Sequence, residues 1–282
     1  MIKQARAAFS LLNPDEVRTR ANRKVHIGLV AADGAGYAEL EDFLLPGDLP
    51  RDQRLELMER VHRAGDPDVP KNVDVVIYQP GIPHQQGAYT YDRRNPEATV
   101  SQILHDNEEV GLALGRQFPA FRKTIIEETI HAVARENALF AIATALPNVV
   151  PNLIELPWVF GEFASDTAFL TANQVRMAFV ISAAHGCEPG FSHQKAEILS
   201  IVGGAFGFRA LARELASHIP LGGGLIPKGA IAYAGTYAVG KSLEYYHQGN
   251  HHYTDDQRKQ VYRRGLERGR DVATSLTRHP TS

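Results

Sequence analysis

The sequence predicts an α/β part followed by an all-α part, and three observations carry that expectation. Two short β-branched apolar runs, 24–32 (KVHIGLVAA) and 73–78 (VDVVIY), are separated by segments of helical pattern. Composition changes at the turn residues Asp92–Pro96: the chain is polar and rich in Pro and Asp before them, rich in Ala and Gly after them. From Glu97 onward the pattern is helical. The expected division is a helical arm over 1–23, a small truncated α/β domain over 24–96, and a helical domain over 97–282.

In the first part, the run 24–32 ends at Asp33-Gly34 and reads as a buried strand. Tyr37–Leu44 reads as a helix, with Gly34 and Gly36 in the turn before it. Arg51–Ala64 reads as a charged amphipathic helix, with Leu55, Met58 and Val61 or His62 on one stripe. Val73–Tyr78 is the second strand, stopped by Gln79–Pro83. Only two strands are visible, so the sheet is either truncated or holds strands that the pattern hides.

In the second part, Glu97–Gln117 and Phe121–Ala145 have helical period. Pro147, Pro151 and Pro157 divide the apolar stretch Leu146–Phe163. Asp166–Ala184 is a long helix, and Ser192 caps one that runs to about Ser217. Gly222, Gly223 and Gly224 form a breaker. A strongly apolar helix follows from Ile226 or Pro227 to about Tyr246, and Thr254 caps a last, charged helix to about Leu276.

Composition narrows the function. Of 282 residues, 44% are hydrophobic, enough to bury a core. Lys and Arg number 30 against 32 Asp and Glu, which gives no electrostatic reason to expect a nucleic-acid partner. A single cysteine, Cys187, allows no internal disulfide and suggests a reducing, cytoplasmic location. The first 23 residues have no long apolar region of the secretory kind. A mean hydropathy of −0.24 argues against a polytopic membrane protein, while leaving room for one inserted hairpin or a peripheral face.

The turn after the first strand invites comparison with the phosphate-binding P-loop, GxxxxGK[ST]. There glycines admit backbone N–H groups to phosphate, Lys neutralises the β/γ oxygens and Ser/Thr holds magnesium. The context here, strand before and helix after, is P-loop-like. The chemistry is not. Ala31 stands for the first Gly, Tyr37 for the Lys and Ala38 for the Ser/Thr. Asp33 adds negative charge, Gly34 falls at an unrestricted position of the motif, and Gly36 alone matches. At the second strand, a GTPase carries an Asp-x-x-Gly turn that helps place magnesium. Here Tyr78 takes the Asp position, ahead of Pro80-Gly81, and no Asn-Lys-x-Asp stretch occurs. Loss of three charge-handling groups is hard to reconcile with hydrolysis of a magnesium nucleotide. The alternatives are a decayed GTPase-like domain and an ordinary strand–helix turn whose glycines supply positive φ.

From about Thr124 to Tyr246 the chain resembles a known family. The residues that carry the resemblance are 134–140 (ARENALF), 146–148 (LPN), 154–158 (IELPW), 163–173 (FASDTAFLTAN), 219–227 (IPLGGGLIP) and 230–237 (AIAYAGTY). Together they are similar to the bacterial domain of unknown function 697. This is a Gly/Ala-rich helical module often found after GTPase domains or in membrane-associated stress proteins. The resemblance implies no catalytic residue. It implies GTPase ancestry for the first part, with the altered P-loop putting any nucleotide switch in doubt.

The helical half also speaks for close helix packing. Gly203 and Gly207 are four apart, and Ala230, Ala234 and Ala238 form a smooth stripe. Such surfaces are common in membrane helix pairs. Ile219–Val239 approaches the length a bilayer needs, about 20 residues, but the glycines and Pro227 interrupt it. These apolar segments suit either the centre of a soluble bundle or a membrane contact. Trp158 suits either an interfacial anchor or a core residue.

Other groups have plainer readings. His247, His251 and His252 cluster without evident further ligands, so no metal is expected. Cys187 reads as a buried small residue at a helix end. Asp166, Asn173, Arg176 and Glu162 read as polar pairs within the bundle. The last helix is basic but diluted by acids, and reads as solvated or as a surface for anionic lipid. The expected role is therefore a non-catalytic pseudo-GTPase-type scaffold without cofactor or small-molecule substrate. It would bind a protein partner or itself and be cytoplasmic, with possible membrane association. The alternatives are a homo-oligomeric structural protein and a nucleotide sensor without hydrolysis.

Overall fold

The structure is a computed structural model, and it describes residues 13–67, 69–70, 72–83, 86–145, 166–201, 224–249 and 251–278. Two compact units emerge: one comprises 16–127 with 183–187, the other is built on 128–182 and 188–282. The turn at Asp92–Pro96, where composition changes, lies inside the first unit.

That unit contains α1 (Pro14–Ala21), β1 (Ile27–Val30), α2 (Gly34–Leu44), α3 (Arg51–Met58), β2 (Val61–Arg63), β3 (Val75–Tyr78), β4 (Tyr89–Thr90), α4 (Pro96–Asp106) and α5 (Glu108–Gln117). The four strands form one parallel sheet in the order β2-β1-β3-β4. This is an α/β part. Its chain goes to one side of β1 for β2 and to the other for β3, the order of doubly wound open sheets.

Alternation explains the two central strands. Ile27 and Leu29 on β1, and Val75 and Ile77 on β3, are buried, while their neighbours are half-buried. The buried set meets Leu40 and Leu44 of α2, Ile103 and Leu104 of α4, and Leu114 of α5 in one core. Gln117 closes the amino end of β1. Its carboxamide accepts from Val25 N (3.3 Å) and donates to Arg23 O (2.6 Å), which satisfies backbone groups at the strand's entry.

Several expectations need correction. The helix read over Arg51–Ala64 ends at Met58, and Val61–Arg63 is strand β2. The reading failed because β2 has three residues on a sheet edge, too few to show alternation. The stripe shifts too: Leu57 is buried, while Leu55 and Met58 are 54% and 50% exposed. The sheet has four strands rather than the two visible in the sequence; β4 has only two residues. The helix read over Glu97–Gln117 is two helices meeting at Asn107, whose side chain donates to Ile103 O (2.8 Å) at the end of the first.

Residues 183–187 belong to the first unit through two arginines. Arg122 Nε donates to Ala184 O (2.8 Å), and Arg116 Nη1 donates to Cys187 O (2.8 Å) and Ala183 O (3.2 Å). Helix-terminal carbonyls lack partners in their own helix, and cations there are favourable. Cys187 is exposed, against the expectation of a buried residue, because the chain has already left the helix at Gly186, whose φ is +84°.

The second unit is helical. It holds most of α6 (Pro119–Ala145) and α7 (Asp166–Ala184), a helical segment at 195–201, α8 (Leu225–Gly249) and α9 (Asp255–Arg278). The described part of the helix expected after Ser192 starts at 195, with Gln194 just before it. Thr254 caps α9 as expected: Thr254 Oγ1 accepts from Gln257 N (3.3 Å) and Gln257 Oε1 accepts from Thr254 N (2.9 Å).

Small residues set the packing of α8. Ala230 and Ala234 are fully buried and lie in one cluster with Tyr262 and Leu266 of α9. A Cβ on Gly269 would stand 2.8 Å from Ala230 O, and one on Gly265 would stand 3.1 Å from Ala234 Cα. Gly229 and Gly240 instead make room for Ile142 and Ile130 of α6. A buried polar chain joins three helices. Asn137 Nδ2 donates to Thr236 Oγ1 (2.8 Å), and Asn173 Nδ2 donates to Asn137 Oδ1 (2.9 Å). No helix among the described residues is long and apolar enough to cross a membrane.

Candidate functional site at the strand ends

Open α/β sheets bind ligands outside the carboxyl ends of their strands, where the chain order reverses. Here that place is the end of β1 and β3, where Val30 and Tyr78 are paired in register. Both motif-like segments singled out in the sequence converge there: 31–38 after β1, and 78–81 after β3.

The turn after β1 is short. Ala31, Ala32 and Asp33 are the only residues between β1 and α2, and Gly34–Ala38 are already helical. Asp33 is the helix cap: its backbone is extended (φ −152°, ψ 178°), and Oδ1 accepts from Gly36 N at 2.8 Å. Neither Gly34 nor Gly36 has positive φ, so the expectation of conformationally special turn glycines is corrected. Space is what position 36 requires. Gly36 is buried, and a Cβ there would lie 2.4 Å from Gln79 Oε1.

Gln79 is the residue that the sequence comparison passed over. It leaves the end of β3, reaches across to β1, and accepts from Ala32 N at 2.9 Å. Its own backbone N–H donates to Val30 O at 2.9 Å. The chain then turns at Pro80-Gly81, where Gly81 has φ +86°, a conformation that favours glycine. Tyr78 O accepts from Tyr91 N (2.9 Å), which holds the neighbouring segment to the same strand end.

The electrostatics follow from these bonds. A helix start attracts anions through its free N–H groups and the positive end of its dipole. In this chain a carboxylate of the chain itself, Asp33, takes the Gly36 N–H, and a carboxamide takes the Ala32 N–H. Tyr37 lies on the opposite course: its ring is 5.3 Å from the Arg63 guanidinium, which is held by Glu41 at 2.6 and 2.9 Å. Ala38 is exposed and brings no hydroxyl.

The sequence-named packing residues are divided. Ala230, Ala234 and Ala238 are buried in the helical unit. Gly224 is exposed just before α8. Trp158, Gly203, Gly207, Gly222 and Gly223 lie outside the described residues, as does Glu162. Of the expected polar pairs, Asn173 bonds Asn137 and Arg176 pairs with Glu136 (2.8 Å). His247 meets Glu197 and Tyr246, His251 meets Tyr245, and His252 meets Tyr246. Among the described residues no group of three or more His, Cys, Asp or Glu could hold a metal ion.

Residues the sequence reading missed are Gln79, Gln117, Asn137, Gly265 and Gly269. Only the last two carried a signal, their spacing of four on a charged helix. No family model, no curated protein and no solved structure matches this chain.

Proposed function

We propose that the chain is a non-catalytic scaffold of the pseudo-GTPase type. Its α/β unit, of nucleotide-binding ancestry, would serve as a docking body for a protein partner, and its helical unit would self-associate or rest on a membrane surface. The observation that carries the reading is the self-filled strand end. Asp33 and Gln79 take the N–H groups of Gly36 and Ala32, which a bound phosphate would otherwise use. The positions that would supply a phosphate-binding Lys and a magnesium-binding hydroxyl hold Tyr37 and Ala38.

A partner surface on the α/β unit is favoured by α3, which leaves Leu55 and Met58 exposed next to the sheet-edge strand β2. Self-association of the helical unit is favoured by Leu199, 70% exposed on the segment 195–201. Titration calorimetry of the full chain with GTP, GDP and ATP, each with magnesium, tests the non-catalytic reading. No heat of binding is expected at nucleotide concentrations up to about 1 mM, the weak end of ordinary affinity. Stoichiometric binding would overturn the reading.

A further inference from the structure

The helical unit contains a cavity of about 190 Å³ between the segment 195–201, helix α8 and the residues after it. An engineered apolar cavity of about 150 Å³ holds benzene, so this one accommodates one ring with a short substituent. Its walls are mostly apolar, with Ile201, Val239 and Leu243 among them, while Glu197, Tyr246 and His252 bring a carboxylate and two rings.

Glu197 decides the ligand's charge. Its side chain is only 13% exposed. One oxygen, Oε2, accepts from Gln194 Nε2 (2.8 Å) and His247 Nε2 (3.3 Å). Among the described residues Oε1 accepts no hydrogen bond. Both bonds end on Oε2, which leaves Oε1 as the acceptor that an added donor can use. On α8, Lys241 forms a close ion pair with Glu244. Tyr246 and His252 stack with their ring centroids 5.3 Å apart and interplanar angle 23°, presenting aromatic surface beside the carboxylate. A charged acceptor, aromatic faces and an apolar floor are the elements that recognise an organic ammonium ion.

We infer that this cavity is a binding site for a small organic ammonium compound with a compact apolar body. The ammonium meets Glu197 Oε1 and an aromatic face of the Tyr246–His252 pair, and the apolar body lies against Val239, Leu243 and Ile201. The ligand is bound without being transformed. This goes beyond the scaffold reading and does not depend on it, since the residues involved all lie in the helical unit.

The test uses the full chain with two probes matched in size, phenethylamine and its neutral counterpart 2-phenylethanol, followed by saturation-transfer NMR and calorimetry. Phenethylamine is expected to bind at least about tenfold more tightly, which is about 1.4 kcal/mol. Glu197→Gln keeps an acceptor for Gln194 and His247 but removes the charge, and should bring the two probes to within about twofold. Ser242→Phe, which fills the cavity from α8, should abolish binding of both while the near-ultraviolet circular dichroism stays that of the native chain. Absence of phenethylamine binding to the native chain overturns the inference, as does equal binding of the two probes. The native-chain comparison involves no substitution, so it decides the matter even if a variant fails to fold.

Discussion

Gln79 and Gly36 occupy one another's space: the carboxamide of Gln79 lies where a side chain at position 36 would begin, with its Oε1 2.4 Å from the position a Cβ would take. The pair links the ends of β1 and β3 through the bond from Ala32 N to Gln79 Oε1. A glycine is otherwise a cost to a helix, up to about 1 kcal/mol relative to Ala in the interior and less in the first turn, where Gly36 lies.

This relationship makes a non-additive prediction. Gly36→Ala alone should be close to neutral, because the helix gain is offset by displacing Gln79 and losing its bond, worth about 1 kcal/mol. Gln79→Ala alone should destabilise by up to about 1 kcal/mol. In the Gln79→Ala background, Gly36→Ala should become stabilising by about 0.5–1 kcal/mol. Urea unfolding of the four proteins checks this, and additive effects would mean that the two side chains do not compete.

A second prediction concerns Asn137, which is fully buried and serves both Thr236 and Asn173. Asn137→Ala removes a partner from each while leaving them buried, which should destabilise by about 2–3 kcal/mol. Asn137→Ser, smaller but able to donate and accept once each, should recover part of that loss. Thermal unfolding of both variants distinguishes them; equal loss would assign the effect to volume alone.

What the sequence conveyed and what it withheld have physical causes. Long periodic segments were legible: α7 appears at the residues read from pattern, and Thr254 caps α9 because a Thr-x-x-Gln box announces itself. Central strands were legible because Ile27, Leu29, Val75 and Ile77 must all be buried. Edge strands were not, because Val61–Arg63 is half-exposed and borrows its order from β1. At the strand ends, Tyr37, Ala38 and Tyr78 could be judged against a motif, but Gln79 could not. Its role arises from its distance to Ala32 and Gly36 in space, and 47 residues separate it from Ala32 in the chain.

A third prediction is a pH dependence in the α/β unit. His26 Nδ1 and His62 Nε2 are 2.9 Å apart with stacked rings, so one ring must present a bare nitrogen to the other's N–H. Burial first, and His26 second, hold the His62 imidazole below the ordinary histidine value, while Asp66 pulls it back up. The unfolded chain therefore binds more protons than the folded one between the lowered folded value and the ordinary value of about 6.5. The contribution is complete above about pH 6.5 and is lost as pH falls below it. In His62→Asn the decline in unfolding midpoint between about pH 7.5 and 5 should be shallower than in the native chain. An unchanged slope would place the titration elsewhere.

The last prediction separates two kinds of glycine in the helical unit. A Cβ at Gly269 would meet backbone, Ala230 O at 2.8 Å and Ala230 Cα at 3.1 Å, which can yield only if α8 and α9 move apart. Gly235, on α8 itself, has nothing within 4 Å of such a Cβ. Helix propensity favours Ala at both positions by about 1 kcal/mol. Overpacking at Gly269 should exceed that gain, so Gly269→Ala should destabilise by about 1–3 kcal/mol, while Gly235→Ala should stabilise by about 0.5–1 kcal/mol. Thermal unfolding of the two single variants measures both. The opposite signs are the point of the comparison: propensity alone predicts gain at both sites, and only a close backbone approach between α8 and α9 reverses one of them. Stabilisation by Gly269→Ala would mean that the Ala230–Ala234–Ala238 stripe packs against something other than this face of α9.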